Sequence, residues 1–254
     1  MGGTGRTGTT GRAERTREGH RRGLGSVLSG LVVATGFVLF LGGFIWAAVV
    51  YQPFLVPTDS MTPTVKPGER VLAQRIDGDQ VRRGDIVIFR DEVWGDLPMV
   101  KRVVGVGGDK VACCRTGGRL TLNGAPVEEP YLHDAGDAST TPFEVTVPED
   151  KLFLLGDDRS ASLDSRAHLQ EAGQGTVSRS AVLARLDAVV WPLGNMIERP
   201  AAYEHLPGGT SAPGPLRTQA AVTGGGALLI VLGASYGPLA RLFRRGRKEP
   251  AGVR

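Results

Sequence analysis

The chain has 254 residues, of which 41% are hydrophobic and 22% charged, and its formal net charge is +4. That length admits one or two domains, but the charge is unevenly placed: residues 1–23 carry six Arg against two Glu, and residues 241–254 five Arg and one Lys against one Glu, which leaves −5 for the stretch between them. Basicity confined to two tails orients membrane helices, and it argues against a nucleic-acid-binding face.

In chain order, residues 1–23 are rich in Gly, Thr and Arg without apolar periodicity and read as a disordered basic tail. No charged residue lies between Arg22 and Asp59, and residues 24–50 are almost continuously apolar. At ~1.5 Å per residue they cross a ~30 Å hydrocarbon core, and they exceed the ~7–15 apolar residues of a cleaved secretory signal. Residues 51–197 read as a mainly β domain. Strands are predicted at Arg70–Ile76, Asp85–Arg90, Met99–Val106, Arg119–Leu122, Phe143–Val147 and Lys151–Leu155. Asn123-Gly124 is a hairpin signal, since both residues accept positive φ. Tyr131–Pro142 reads as an exposed loop, and the one short helical candidate lies around Ser180–Leu186. Residues 198–217 form a linker, Pro/Gly-rich over Glu198–Gly214. Residues 218–240 are a second uncharged, more Gly-diluted span, and residues 241–254 a second basic tail. Both tails are expected on the cytoplasmic side, with residues 51 to about 217 outside. Cys113 and Cys114 are adjacent; free thiols are the ordinary reading, with a vicinal bridge open in an oxidising compartment.

The sequence lacks a Gly-x-Ser-x-Gly elbow, a zinc helix and a phosphate loop. His20 lies in the tail, His133 and His205 in polar loop or linker sequence, and His168 after a charged loop, so no histidine marks a structured cleft. Lysine is more informative. Lys66, Lys110 and Lys151 stand in turns and Lys248 in the basic tail, but Lys101 lies in the apolar run Met99-Val100-Lys101-Arg102-Val103-Val104. A lysine on an apolar face loses hydration, which lowers its pKa from ~10.4 and suits it to take a proton. An edge-strand lysine reaching out into water is the other reading, and the pattern leaves both open. Ser60 lies between Pro57 and Pro63, close after the first span, where the prolines narrow the conformations of its hydroxyl. Thr58, two residues earlier, and the Ser60 N–H are candidate oxyanion donors. Asp157, Asp158, Arg159, Asp164 and Arg166 suit a salt-bridged loop, with Ser162 a candidate partner for the Lys101 amine.

These islands in this order resemble the bacterial type I signal peptidases, serine-lysine membrane endopeptidases. The resemblance runs from about Tyr51 to Met196, over Pro57–Thr64, Gly84–Val87, Val100–Gly105 with Gly108–Val111, Gly156–Arg166 and Trp191-Pro192. It implies a β-rich catalytic domain flanked by two transmembrane helices. Ser60 would be the nucleophile, Lys101 the general base and Thr58 with the Ser60 N–H the oxyanion donors. Ser162 would orient the lysine, Asp164 with Arg166 would brace the loop, and Asp157 and Arg102 would support them. Phe54, Val56, Met61, Val65, Met99 and Val100 match positions lining shallow apolar pockets for small residues at −1 and −3. The implied substrates are precursor proteins bearing signal peptides, at a lipid bilayer, with no metal, cofactor or nucleic acid. Asp158 stands where the family commonly has Asn, the paired cysteines fall outside the general pattern, and the second span follows the catalytic domain. The rival readings are another membrane-anchored Ser-Lys processing protease and a non-catalytic membrane-tethered β module.

Overall fold

The computed structural model describes residues 24–114, 118–132, 138–192 and 194–246, with backbone alone for residue 24 and residues 239–246. The tail of residues 1–23 with His20, the end of the second tail with Lys248, and His133 lie outside the described residues.

Two helices, α1 (Leu24–Val50) and α2 (Leu216–Gly246), are long and apolar enough to cross a membrane. The chain divides into two compact units. One holds α1 up to Phe40 and α2 from Gly224; the other holds Leu41–Thr223. In the first unit two of the glycines that dilute α2, Gly226 and Gly233, are where the helices touch. A Cβ on Gly226 would lie 2.5 Å from the Phe40 backbone nitrogen, and Ser29 Oγ donates to the Gly233 carbonyl at 2.7 Å. Small residues let apolar helices approach backbone to backbone, so these glycines serve packing.

The second unit is built on antiparallel strands: β1 (Tyr51–Leu55), β2 (Arg70–Arg75), β3 (Ile86–Phe89), β4 (Met99–Val106), β5 (Lys110–Cys113), β6 (Leu120–Leu122), β7 (Ala125–Pro126), β8 (Phe143–Thr146), β9 (Lys151–Leu155), β10 (Val177–Ser178), β11 (Val182–Trp191) and β12 (Asn195–Met196). One sheet runs β1-β2-β11-β3-β4-β9-β10, with β12 also on β11; the other runs β7-β6-β5-β8. Pro53 is tolerated because β1 is an edge strand. The hairpin at Asn123-Gly124 forms, with φ of 54° and 85°. Val104, Phe153 and Leu155 of the large sheet share a core with Val111, Leu122 and Phe143 of the small one.

Four expectations are corrected. Ser180–Leu186 is not helical: a short 3-10 turn at Arg179–Ala181 leads into β11, which pairs with both β2 and β3. Bulges at Val182/Ala184, Leu186/Ala188 and Val189/Trp191 shift the strand's facing, which hid its period of two. Tyr131–Pro142 is not simply exposed, since Leu132 and Ala138 flank the undescribed 133–137 and are buried. Residues 198–214 are a packed strap rather than a free spacer. Tyr203 is fully buried in the shared core, and Arg199 reaches both Asp85 and Asp187. Finally, Cys113 and Cys114 are joined by a disulfide and not free.

Candidate active site

Ser60 is presented by a turn whose two ends are pinned. Thr62 N–H donates to the Asp59 carbonyl and Val65 N–H to the Met61 carbonyl, while Met61 and Val65 are both fully buried. Burying those two side chains fixes the turn, and Ser60 itself keeps 7% of its surface. Lys101 arrives from the middle of β4, opposite Val87 of β3, on the strand face that also carries Met99 and Val103. Its Nζ lies 2.8 Å from Ser60 Oγ, within hydrogen-bonding reach, and the residue is 5% exposed. Thr58 Oγ1 is 3.4 Å from the same Ser60 oxygen. The candidate nucleophile, base and oxyanion donor therefore meet at one point.

The electrostatics suit an uncharged amine. Burial pushes the Lys101 pKa down; Asp164 and Asp157 pull it back up, while Arg166 acts in the same sense as burial. Both carboxylates are committed elsewhere. Asp157 takes a fork from Arg102 at 2.8 and 2.6 Å. Asp164 takes one from Arg166 at 2.8 and 2.7 Å and also accepts the Gly156 N–H at 3.0 Å. A carboxylate already matched by a guanidinium holds little surplus charge for the lysine. Arg102 is fixed further by the Gly84 carbonyl at 2.9 Å and by the Tyr131 ring, whose centroid lies 3.9 Å from the guanidinium carbon.

The 156–166 loop grips the Ser60 turn through backbone. Asp158 N–H donates to the Ser60 carbonyl at 3.1 Å, and Gly156 lies so close that a Cβ there would be 2.5 Å from that oxygen. Asp158 uses Oδ1 to accept from Ser160 and Ala161, closing the turn as a local cap. Ser165 Oγ accepts from Leu154 N–H, tying the far end of the loop to β9.

Ser162 departs from expectation. Its hydroxyl is buried but bonds to no described residue, Lys101 included, and it lies against Gly156 instead. The apolar positions also divide. Phe54 and Val100 are partly exposed and pack on the cluster of Val56, Met61 and Val65. Those last three are buried, so they form the floor beneath a surface offered by Phe54 and Val100. Met99 lies on the face opposite Val100, the one that carries Lys101, and packs against the cluster of Val87, Phe89 and Val103. His168 is remote from a triad role; it stacks on Trp94 and contacts Glu171.

Residues outside the expected set complete the support. Arg159 forks to Glu129 at 3.0 and 2.5 Å and donates to the Gly156 carbonyl at 2.9 Å, while Tyr131 donates to Glu129. Nothing in Glu128-Glu129-Pro130 distinguishes a buried carboxylate from a solvated one, so this brace was not legible. Among the described residues no group of three or more His, Cys, Asp or Glu is placed to hold a metal ion.

A family model described as signal peptidase, peptidase S26, matches residues 27–191. Signal peptidase I U of Bacillus subtilis (strain 168) is 36% identical over 157 residues, covering 58% of this chain and 80% of that protein. Signal peptidase IB of Staphylococcus aureus (strain N315) is 32% identical over 178 residues, covering 63% and 86%. Signal peptidase I of Mycobacterium tuberculosis (strain ATCC 25618 / H37Rv) is 30% identical over 200 residues, covering 59% and 68%.

Proposed function

Since this chain belongs to the signal peptidase family, peptidase S26, we propose that Ser60 and Lys101 are the dyad with which it works. The chain is a serine endopeptidase that removes signal peptides from precursor proteins, and its two apolar helices fit membrane anchoring. The observation that carries the dyad is the 2.8 Å contact between a buried lysine amine and a nearly buried serine hydroxyl.

In the working state Lys101 is neutral and its lone pair takes the Ser60 proton as Oγ attacks the scissile carbonyl carbon. The carbonyl π electrons move to oxygen, and that oxyanion is met by the Thr58 hydroxyl and the Ser60 N–H. Collapse breaks the C–N bond, with the Lys101 ammonium returning the proton to the leaving amine. An ester on Ser60 remains. Water, deprotonated by the same amine, then attacks the ester and regenerates the hydroxyl. Phe54 and Val100, over the floor of Val56, Met61 and Val65, would receive small residues at −1 and −3; their limited exposed surface favours small side chains. For topology, the basic tails support both termini on the cytoplasmic side, with residues 51–217 on the other.

The test is cleavage of a synthetic precursor by the detergent-solubilised full chain. Ser60→Ala and Lys101→Ala should each lower kcat/KM by at least about 10³-fold. Equal cleavage by wild type and both variants would remove the dyad.

A further inference from the structure

Away from the dyad, a crevice of about 410 Å³ opens beside the start of α2. Its walls are Gln74 and Gln80, Arg82 and Arg185, and the strap segment 210–215. That segment lies beyond the part of the chain that matches the family model.

Arg185 makes this more than a surface dent. The residue is 6% exposed and lines the crevice, yet its Nε has no hydrogen-bond partner among the described residues. One terminal nitrogen, Nη2, donates to Gln74 Oε1 at 2.7 Å, which leaves the Gln74 amide nitrogen as a further donor. The nearest carboxylate, Asp187, is 3.6 Å from Nε, but it already receives Arg199 at 2.7 Å and the Tyr51 hydroxyl at 2.8 Å. Asp85 is likewise held by Ser211 and Arg199. Arg82, half-buried, spends Nη1 on the backbone carbonyls of Asp79 and Val81, an arrangement that fixes the guanidinium without neutralising it. Three guanidinium groups thus stand against two buried carboxylates. An unsatisfied buried donor on a cation is costly, and an anionic oxygen is the ligand that answers it.

Position narrows the source. Tyr51, whose hydroxyl accepts the Leu216 N–H, directly follows α1, and Leu216 begins α2. Pro213 and Pro215 stiffen the rim, and the 31-residue α2 directs its positive N-terminal end this way. The crevice therefore borders the ends of both apolar helices, at the depth of lipid headgroups if those helices span the bilayer.

We infer that this crevice is a binding site for a phosphate group, carried by an anionic phospholipid headgroup and gripped by Arg185, Arg82 and the Gln74 amide. The lipid source rests on the reading of α1 and α2 as membrane spans; the anion chemistry does not.

Native mass spectrometry of the full chain in detergent tests it, with phosphatidylglycerol, phosphatidylcholine and inorganic phosphate titrated separately. Precursor cleavage in the same samples reports on the peptidase reading independently. A saturable one-to-one phosphatidylglycerol adduct is expected, at least tenfold weaker in Arg185→Gln and in Arg82→Gln, with phosphatidylcholine weaker than phosphatidylglycerol. Arg82 is half-buried, so its variant keeps the test usable should Arg185→Gln fail to fold. Equal affinity for inorganic phosphate, lost in the same variants, would support the anion site and overturn the lipid source. No saturable adduct with any probe, or adducts undiminished in a folded variant, overturns the site.

Discussion

Ser60 and Lys101 are 41 residues apart in the chain and 2.8 Å apart at their reactive atoms. The contact joins a turn anchored by buried Met61 and Val65 to the interior of a strand flanked by β3 and β9. Neither partner depends on a free loop, so the pair is placed by elements that keep their geometry before substrate arrives.

Activity should rise with pH. Burial lowers the Lys101 pKa below 10.5, so the neutral amine becomes the main form before an exposed lysine would lose its proton. Below that lowered value kcat/KM should climb about tenfold per pH unit. A profile measured from pH 5 to 10 that stays flat would remove the amine as base.

The same shift has a cost in stability. Between the lowered folded pKa and 10.5 the unfolded chain binds one proton more than the folded one, so stability rises with pH by up to about 1.4 kcal/mol per unit. At lower pH both states hold the proton and the penalty is constant. Lys101→Met should therefore melt higher than wild type at neutral pH and lose this pH slope. Thermal melts in detergent across that range decide it; a lower-melting variant would contradict the burial penalty.

Gly156→Ala should damage catalysis through a clash with the nucleophile turn. A Cβ there would lie 2.1 Å from Ser162 Oγ and 2.5 Å from the Ser60 carbonyl. Rotating Ser162 would leave its Cβ only 2.4 Å away, so the loop and the Ser60 backbone both have to move, and displacement of about 1 Å costs on the order of 10²-fold in rate. The loss is expected mainly in kcat, so steady-state kinetics with unchanged kcat would show that the turn tolerates the shift.

Asp157→Ala should unfold the protein more readily, by about 3–5 kcal/mol, because it leaves the Arg102 guanidinium buried without its partner. Replacing both, with Asp157→Leu and Arg102→Met, should recover much of that stability while leaving the loop less well placed. Denaturant melts of the single and double variants measure the difference.

Much of the site was legible because its chemistry is local. Ser60 is marked by flanking prolines, and Lys101 by standing inside an apolar run, whereas Lys110 and Lys151, read as turn residues, open β5 and β9 directly after Asp109 and Asp150. Strands β4 and β9 were legible to the residue because they are apolar and end in turn chemistry. What escaped depended on contacts distant in sequence. Glu129 is buried only because Arg159, thirty residues on, folds over it. The facing of β11 depends on bulges set by two partner strands. The bonding of Ser162 could not be read from its motif, because it depends on how the loop folds, which sets the hydroxyl close to Gly156 and off the Lys101 amine.

The strap after β12 carries a practical consequence. Tyr203 fills part of the core shared by the two sheets, Arg199 and Ser211 converge on Asp85, and the Pro207 carbonyl accepts from Arg83. A stop codon at Glu198 would accordingly excise interior packing along with the second hydrophobic helix, and yield aggregate. One placed just past Thr223 would shed most of the helix yet keep the buried Gln219 and the Leu216 N–H bond to Tyr51, which makes that position the natural downstream limit of a trimmed fragment.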